Sequence, residues 1–89
     1  MFARNVSIRL KSNMLSDFLQ TFENEVLPIL RQQKGFKDEI TLSNPGSPDV
    51  IAISLWETKD SAEAYKEDTY PQVLNTVEKM IEGTPRVHL

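Results

Sequence analysis

With 89 residues the chain has room for one small domain, 1–89, and no second core. It has no cysteine, which excludes a disulfide framework, a thiolate nucleophile and a cysteine metal site. Its formal net charge of −3, with lysines and arginines scattered, gives no reason to expect nucleic acid or an anionic membrane as partner.

Met1-Phe2-Ala3-Arg4 runs straight into strand alternation and no stretch approaches membrane-spanning length, so a cytoplasmic protein is expected. Val6, Ile8 and Leu10 alternate with Asn5, Ser7, Arg9 and Lys11, the pattern of a half-buried strand with a polar second face. Ser12-Asn13 offers a helix cap, and Leu15, Phe18, Leu19, Phe22, Val26, Ile29 and Leu30 then recur at helical spacing. Pro28 lacks the N–H for an internal helix bond, which predicts a kink or restart around 24–27. Gly35 reads as the left-handed stop.

Residues 36–43 read as a second strand, with Ile40 and Leu42 on one face and Lys37, Glu39 and Thr41 on the other. Asn44-Pro45-Gly46-Ser47-Pro48-Asp49 is turn chemistry and should close a hairpin. The third strand, 50–56, is apolar on both faces: Val50, Ala52, Ser54 and Trp56 against Ile51, Ile53 and Leu55. Such a strand is central and covered on both sides. Asp60 with Glu63 predicts a second helix from about 61 to 68, and Thr69-Tyr70-Pro71-Gln72 a further helix start. That helix faces the core with Val73, Leu74, Val77 and Ile81 and ends at Gly83, before a short strand over 84–89.

The predicted class is α+β with the ferredoxin-like order β-α-β-β-α-β: an antiparallel four-stranded sheet with helices on one face. Nothing in so short a chain covers the other face of a doubly apolar central strand. A second copy is the simplest cover, which predicts a homodimer.

Trp56 either lines a pocket for a flat ligand or fills the core at a strand end; the small Ala52 and Ser54 beside it leave space for either. Tyr65 and Tyr70 are candidates to hydrogen-bond a phenol or quinol oxygen, or are half-buried with wet hydroxyls. The polar faces of Asn5, Ser7 and Arg9 and of Arg86 and His88 suit a dimer interface before catalysis. His88, the only histidine, lies next to the end of the chain. No histidine pair or carboxylate cluster has metal-ligand spacing, and no phosphate-cradling glycine loop is present. No residue stands out as catalytic.

The stretch from Val50 to Pro71, with Trp56-Glu57 closing a strand and Asp60-Ser61-Ala62-Glu63 opening a helix, resembles the antibiotic biosynthesis monooxygenase family, as do Gly35-Phe36 and the terminal Pro-Arg-Val-His-Leu. The resemblance implies a dimeric α+β barrel. Some members oxygenate aromatic polyketides or quinols with no cofactor, because the deprotonated substrate itself reduces dioxygen in a dry pocket with proton-handling groups. Trp56, Tyr65, Tyr70 and Ser54 are the substrate-binding positions implied here. Haem-degrading relatives use an Asn, a Trp and a His. Trp56 matches, but Val6 and Lys66 stand at the other two positions and Asn5 is out of register, which disfavours haem degradation. Three readings stay open: a cofactor-independent monooxygenase on a small aromatic substrate, a non-catalytic small-ligand module, and a structural dimer filled by its own side chains.

Overall fold

The period-2 alternation at the start of the chain produces β1 (Phe2–Arg9), which pairs antiparallel with β3 (Asp49–Trp56) over its whole length in the computed structural model, which describes residues 1–88. The hairpin partner of β3 is β2 (Phe36–Ser43), and the short β4 (Arg86–His88) pairs with the far edge of β1. The sheet order is β2-β3-β1-β4, all antiparallel, with the doubly apolar β3 and the half-apolar β1 in the centre. Leu89, the last residue of the expected terminal strand, lies outside the described residues.

Between β1 and β2 the apolar stripe folds into α1 (Leu15–Thr21) and α2 (Leu27–Arg31), separated by a wide π-helical turn over Phe22–Val26. This is the interruption expected near Pro28. The wide turn lets the Leu27 N–H reach back five residues to the Phe22 carbonyl, and Pro28 then sits in the first turn of the new helix, where its missing N–H costs little. Phe18, Val26 and Leu30 supply the buried part of the stripe.

Four start and stop signals act differently from the sequence reading. Ser12-Asn13 does not cap α1: Met14 occupies that position without a side-chain bond, and Asn13 is in the left-handed region at φ 62°. The helix expected from about 61 begins earlier, as α3 (Lys59–Asp68), because Thr58 rather than Asp60 is the cap; its hydroxyl accepts the Ser61 N–H at 3.1 Å. Thr69 does precede α4 (Tyr70–Val77), yet its hydroxyl donates to Gln33 Oε1 at 3.0 Å and makes no capping box. α4 also gives way to a single 3-10 turn (Glu78–Met80) well before Gly83.

All helices lie on one face of the sheet. There Val6, Ile8, Val50 and Trp56 meet Phe18, Val26, Leu30, Ala62, Tyr65, Val73 and Val77 in one core. The opposite face is open. Ile40 and Leu42 are 45% and 51% exposed on it, with Ile51 beside them. A bulge separates Phe36 from Asp38 in β2, so Phe36 pairs with Trp56 but Glu39 with Ser54 and Thr41 with Ala52.

Candidate functional site

Strand parity decides which side chains reach the helix layer. Arg4 shares the parity of Val6 and Ile8, Ser54 that of Ala52 and Trp56, and both point under the helices. The register Arg4–Ser54 on one side of β3 and Ser54–Glu39 on the other sets these three polar residues in a row across the covered face. Above them α3 carries Tyr65, and α4 begins with Tyr70. A pocket with a volume of about 50 Å³ lies between the layers, lined at its polar end by Arg4, Glu39, Ser54, Tyr65 and Tyr70 and elsewhere by apolar core residues.

The aromatic rings form a chain. Phe36 meets Trp56 edge-on at 5.5 Å, Trp56 lies 5.0 Å from Tyr65 with the rings tilted by 30°, and Tyr65 lies 6.1 Å from Tyr70. The Arg4 guanidinium sits over the Tyr70 ring at 4.2 Å and near the Tyr65 ring at 5.6 Å. Arg4 is only 5% exposed, and its Nη2 is buried with no hydrogen-bond partner among the described residues.

The acid–base groups are displaced from their ordinary behaviour. Burial pushes the Glu39 carboxyl up to about 7; the Thr41 hydroxyl, which donates to its two oxygens at 2.9 and 3.0 Å, acts in the opposite direction, and neighbouring Asp38 adds to the rise. Burial likewise pushes Tyr65 up to about 12 against the favourable charge of Arg4, so its phenol keeps its proton at neutral pH. The pocket therefore holds a carboxyl poised near neutrality, a phenol donor and a permanent cation.

Of the four substrate positions read from the sequence, Ser54, Tyr65 and Tyr70 line the pocket. Trp56 does not. It is fully buried behind them, donating its indole N–H to the Ser54 hydroxyl at 2.9 Å and stacking on Tyr65. Sequence reasoning passed over Arg4 and Glu39. For Arg4 the signal was there, since it continues the Val6-Ile8 parity inward; Glu39 could not be placed without the bulge. Asn5 points to the open face, away from Trp56, and Lys66 is exposed on α3. His88 also belongs to the open face, where its Nε2 lies 3.1 Å from the Ser7 hydroxyl. Among the described residues no three His, Asp or Glu side chains gather as metal ligands, and no helix is long and apolar enough to cross a membrane.

No protein-family model and no curated protein matches the sequence. Solved structures do match it. The monooxygenase ActVA-Orf6 of Streptomyces coelicolor, solved with nanaomycin D, aligns with a TM-score of 0.82 at 12% identity, over 97% of this chain and 81% of that one. SnoaB, a cofactor-independent oxygenase from Streptomyces nogalater, aligns at 0.75 and 12% identity, over 98% and 89%. A candidate antibiotic biosynthesis monooxygenase from Bordetella bronchiseptica aligns at 0.80 and 17% identity, over 97% and 91%. At such identities the likeness speaks for architecture alone, and architecture is what it establishes: the chain has the α+β fold of the antibiotic biosynthesis monooxygenases.

Proposed function

We propose that this chain is a cofactor-independent monooxygenase that oxidises a small aromatic, quinol or polyketide-type substrate with dioxygen, working as a cytoplasmic homodimer. The observation that carries this reading is the pairing, in one pocket, of a carboxyl whose pKa is near 7 with the donors Ser54, Tyr65 and Tyr70. A base of that strength suits removal of an acidic phenol or benzylic proton at neutral pH. The fold shared with two Streptomyces oxygenases supports the same reaction class.

For an anthrone-like substrate the chemistry balances without any further reductant. Glu39 takes one proton from the ring CH2, and the carbanion passes one electron to dioxygen. Superoxide and the substrate radical combine to form a carbon–oxygen bond, and the peroxide anion takes back the proton held by Glu39 to give a hydroperoxide. Loss of the second C–H proton to Glu39 then breaks the O–O bond, leaving a ketone on the ring and a hydroxide that this proton converts to water. The substrate carbon supplies all four electrons, two in forming the hydroperoxide and two in breaking the O–O bond. Tyr65 and Tyr70 hold the substrate oxygen, Ser54 borders the reacting ring, and Trp56 fixes Ser54 and Tyr65 from behind.

The pocket of about 50 Å³ is smaller than the roughly 150 Å³ that admits benzene in an apolar cavity. A ring must therefore displace half-buried wall residues, among them Phe22, Tyr70, Leu74 and Pro85. The same small volume favours the second reading, a non-catalytic small-ligand or structural dimeric barrel. Oxygen uptake with a panel of hydroquinones and anthrones, in the presence of a chelator, separates the two. The monooxygenase reading expects consumption of one dioxygen per substrate, one labelled oxygen in the product, and a rate in Glu39→Gln lowered by about 100-fold or more. No uptake with any member of the panel leaves the second reading.

A further inference from the structure

We propose that Arg4 receives an anionic oxygen of an aromatic ligand, a carboxylate or an ionised phenol, at the polar end of the pocket, and so selects anionic rings over neutral ones. The proposal rests on the reading of this pocket as the substrate site.

Arginine stays charged inside a protein, and a buried guanidinium is ordinarily paired with a carboxylate or fully hydrogen-bonded. Arg4 has neither: Nη2 is buried and unpartnered among the described residues. The rings of Tyr70 and Tyr65 attract the charge, but a ring face does not satisfy an N–H fork. By register the acid on its own row is Glu39, on the far side of β3, and that carboxyl is engaged by Thr41. Glu63 borders a neighbouring groove together with Arg4 and Lys66, yet the one ion pair among the described residues is Lys37–Glu57, at 4.0 Å. The fold thus holds a cation with no paired counter-ion at the wall of a pocket whose other walls are aromatic rings, aliphatic side chains, Ser54 and the Thr41-bound Glu39. A planar acid with an aromatic body complements all of these at once: its oxygens take the N–H fork, and its ring meets the tyrosines and the small Ala52.

The test is calorimetric titration of the full chain with 2-naphthoate and with 2-naphthylmethanol, which share a ring system and differ in charge. The wild type should bind the naphthoate at least about tenfold more tightly. Arg4→Met, which keeps the length of the side chain, should bring the two affinities together, and Arg4→Lys should retain part of the preference because it keeps the charge and loses the fork. Should Arg4→Met fail to fold by circular dichroism, Arg4→Lys decides, with an affinity for naphthoate expected to fall several-fold. The proposal is overturned by failure of the wild type to bind naphthoate at millimolar concentration, by equal affinity for the two probes, by a preference that survives in Arg4→Met, or by unchanged affinity in Arg4→Lys. Binding involves no dioxygen chemistry. The charge preference without oxygen uptake on any substrate would refute the monooxygenase and leave this assignment intact. Equal turnover of a neutral anthrone by wild type and Arg4→Met, with no charge preference, would do the reverse.

Discussion

Trp56 donates its indole N–H to the hydroxyl of Ser54, two residues back on the same strand, at 2.9 Å, with both side chains buried. The indole is thereby committed within the protein, and its influence on the pocket passes through the residues it holds. Trp56→Phe should cost about 1–2 kcal/mol, from a smaller ring and a stranded hydroxyl. Trp56→Ala should cost about 3–5 kcal/mol. Urea unfolding followed by far-UV circular dichroism checks both, since either change removes the only tryptophan.

Glu39 makes stability depend on pH in a defined direction. Its folded-state pKa of about 7 lies above its ordinary 4.5, so between those values the folded chain holds a proton that the unfolded chain has released. The contribution of this group is therefore greatest below 4.5, falls as pH rises, and is fully lost above about 7. Glu39→Gln removes the penalty. After allowance for its partial exposure, the variant should be about 1 kcal/mol more stable than wild type at pH 8, relative to their difference at pH 4.5. Paired urea titrations at the two pH values measure it; a difference that does not change with pH contradicts the burial of this carboxyl.

Gly35 is held at φ +81° and its carbonyl accepts the Glu57 N–H at 2.7 Å. A Cβ there would lie 2.6 Å from the Ser61 Cβ, in the first turn of α3. Gly35→Ala should therefore cost about 2 kcal/mol or more, combining left-handed strain with a clash. Gly46→Ala meets the same kind of strain, at φ +89°, with open space around it, and should cost less. Thermal melts of the two variants give the comparison.

The open sheet face carries Ile40, Leu42 and Ile51 in contact with solvent in the isolated chain. Light scattering at micromolar concentration should return twice the 10.2 kDa chain mass. Leu42→Lys should return a monomer, and the melting temperature of the wild type should rise with protein concentration. A wild-type monomer at that concentration would remove the dimer from the proposal.

The strands, their order and the apolar stripe of the first helical segment were legible because parity and helical spacing survive any tertiary context. The two-sided third strand specifies a central position wherever the helices go, and Val6-Ile8 specify which face of the first strand is covered. The helix starts were less legible, because Thr58, Asp60, Ser12 and Thr69 are all acceptable caps, and long-range partners such as Gln33 decide which hydroxyl is used. Along the pocket, Ser54, Tyr65 and Tyr70 were named by residue type and by the family resemblance, and the short connection from β3 to α3 is what brings Ser54 and Tyr65 to one place. Arg4 was hidden by chemistry: an arginine near the start of a chain reads as solvated, although its parity places it with the core. For β2 the two face sets were readable, but not which of them the helices cover.

That last choice hangs on Lys37. Paired in regular alternation through Lys37, the strand that leaves Phe36 beside Trp56 would carry Ile40 and Leu42 inward and turn Glu39 out to water. Leaving one backbone unit out of the ladder thus sets both the carboxyl of the inner chamber and the oily exterior that invites a second copy. Deleting Lys37 should keep the two together, since plain alternation from Phe36 then brings Glu39 opposite Ser54. Drawing Lys37 into the ladder would instead exchange a poised acid for aliphatic filling and a sticky exterior for a charged one. A slip of register at this one position would then move the protein between a hollow, self-associating form and a solid, solitary one with no change in its sequence.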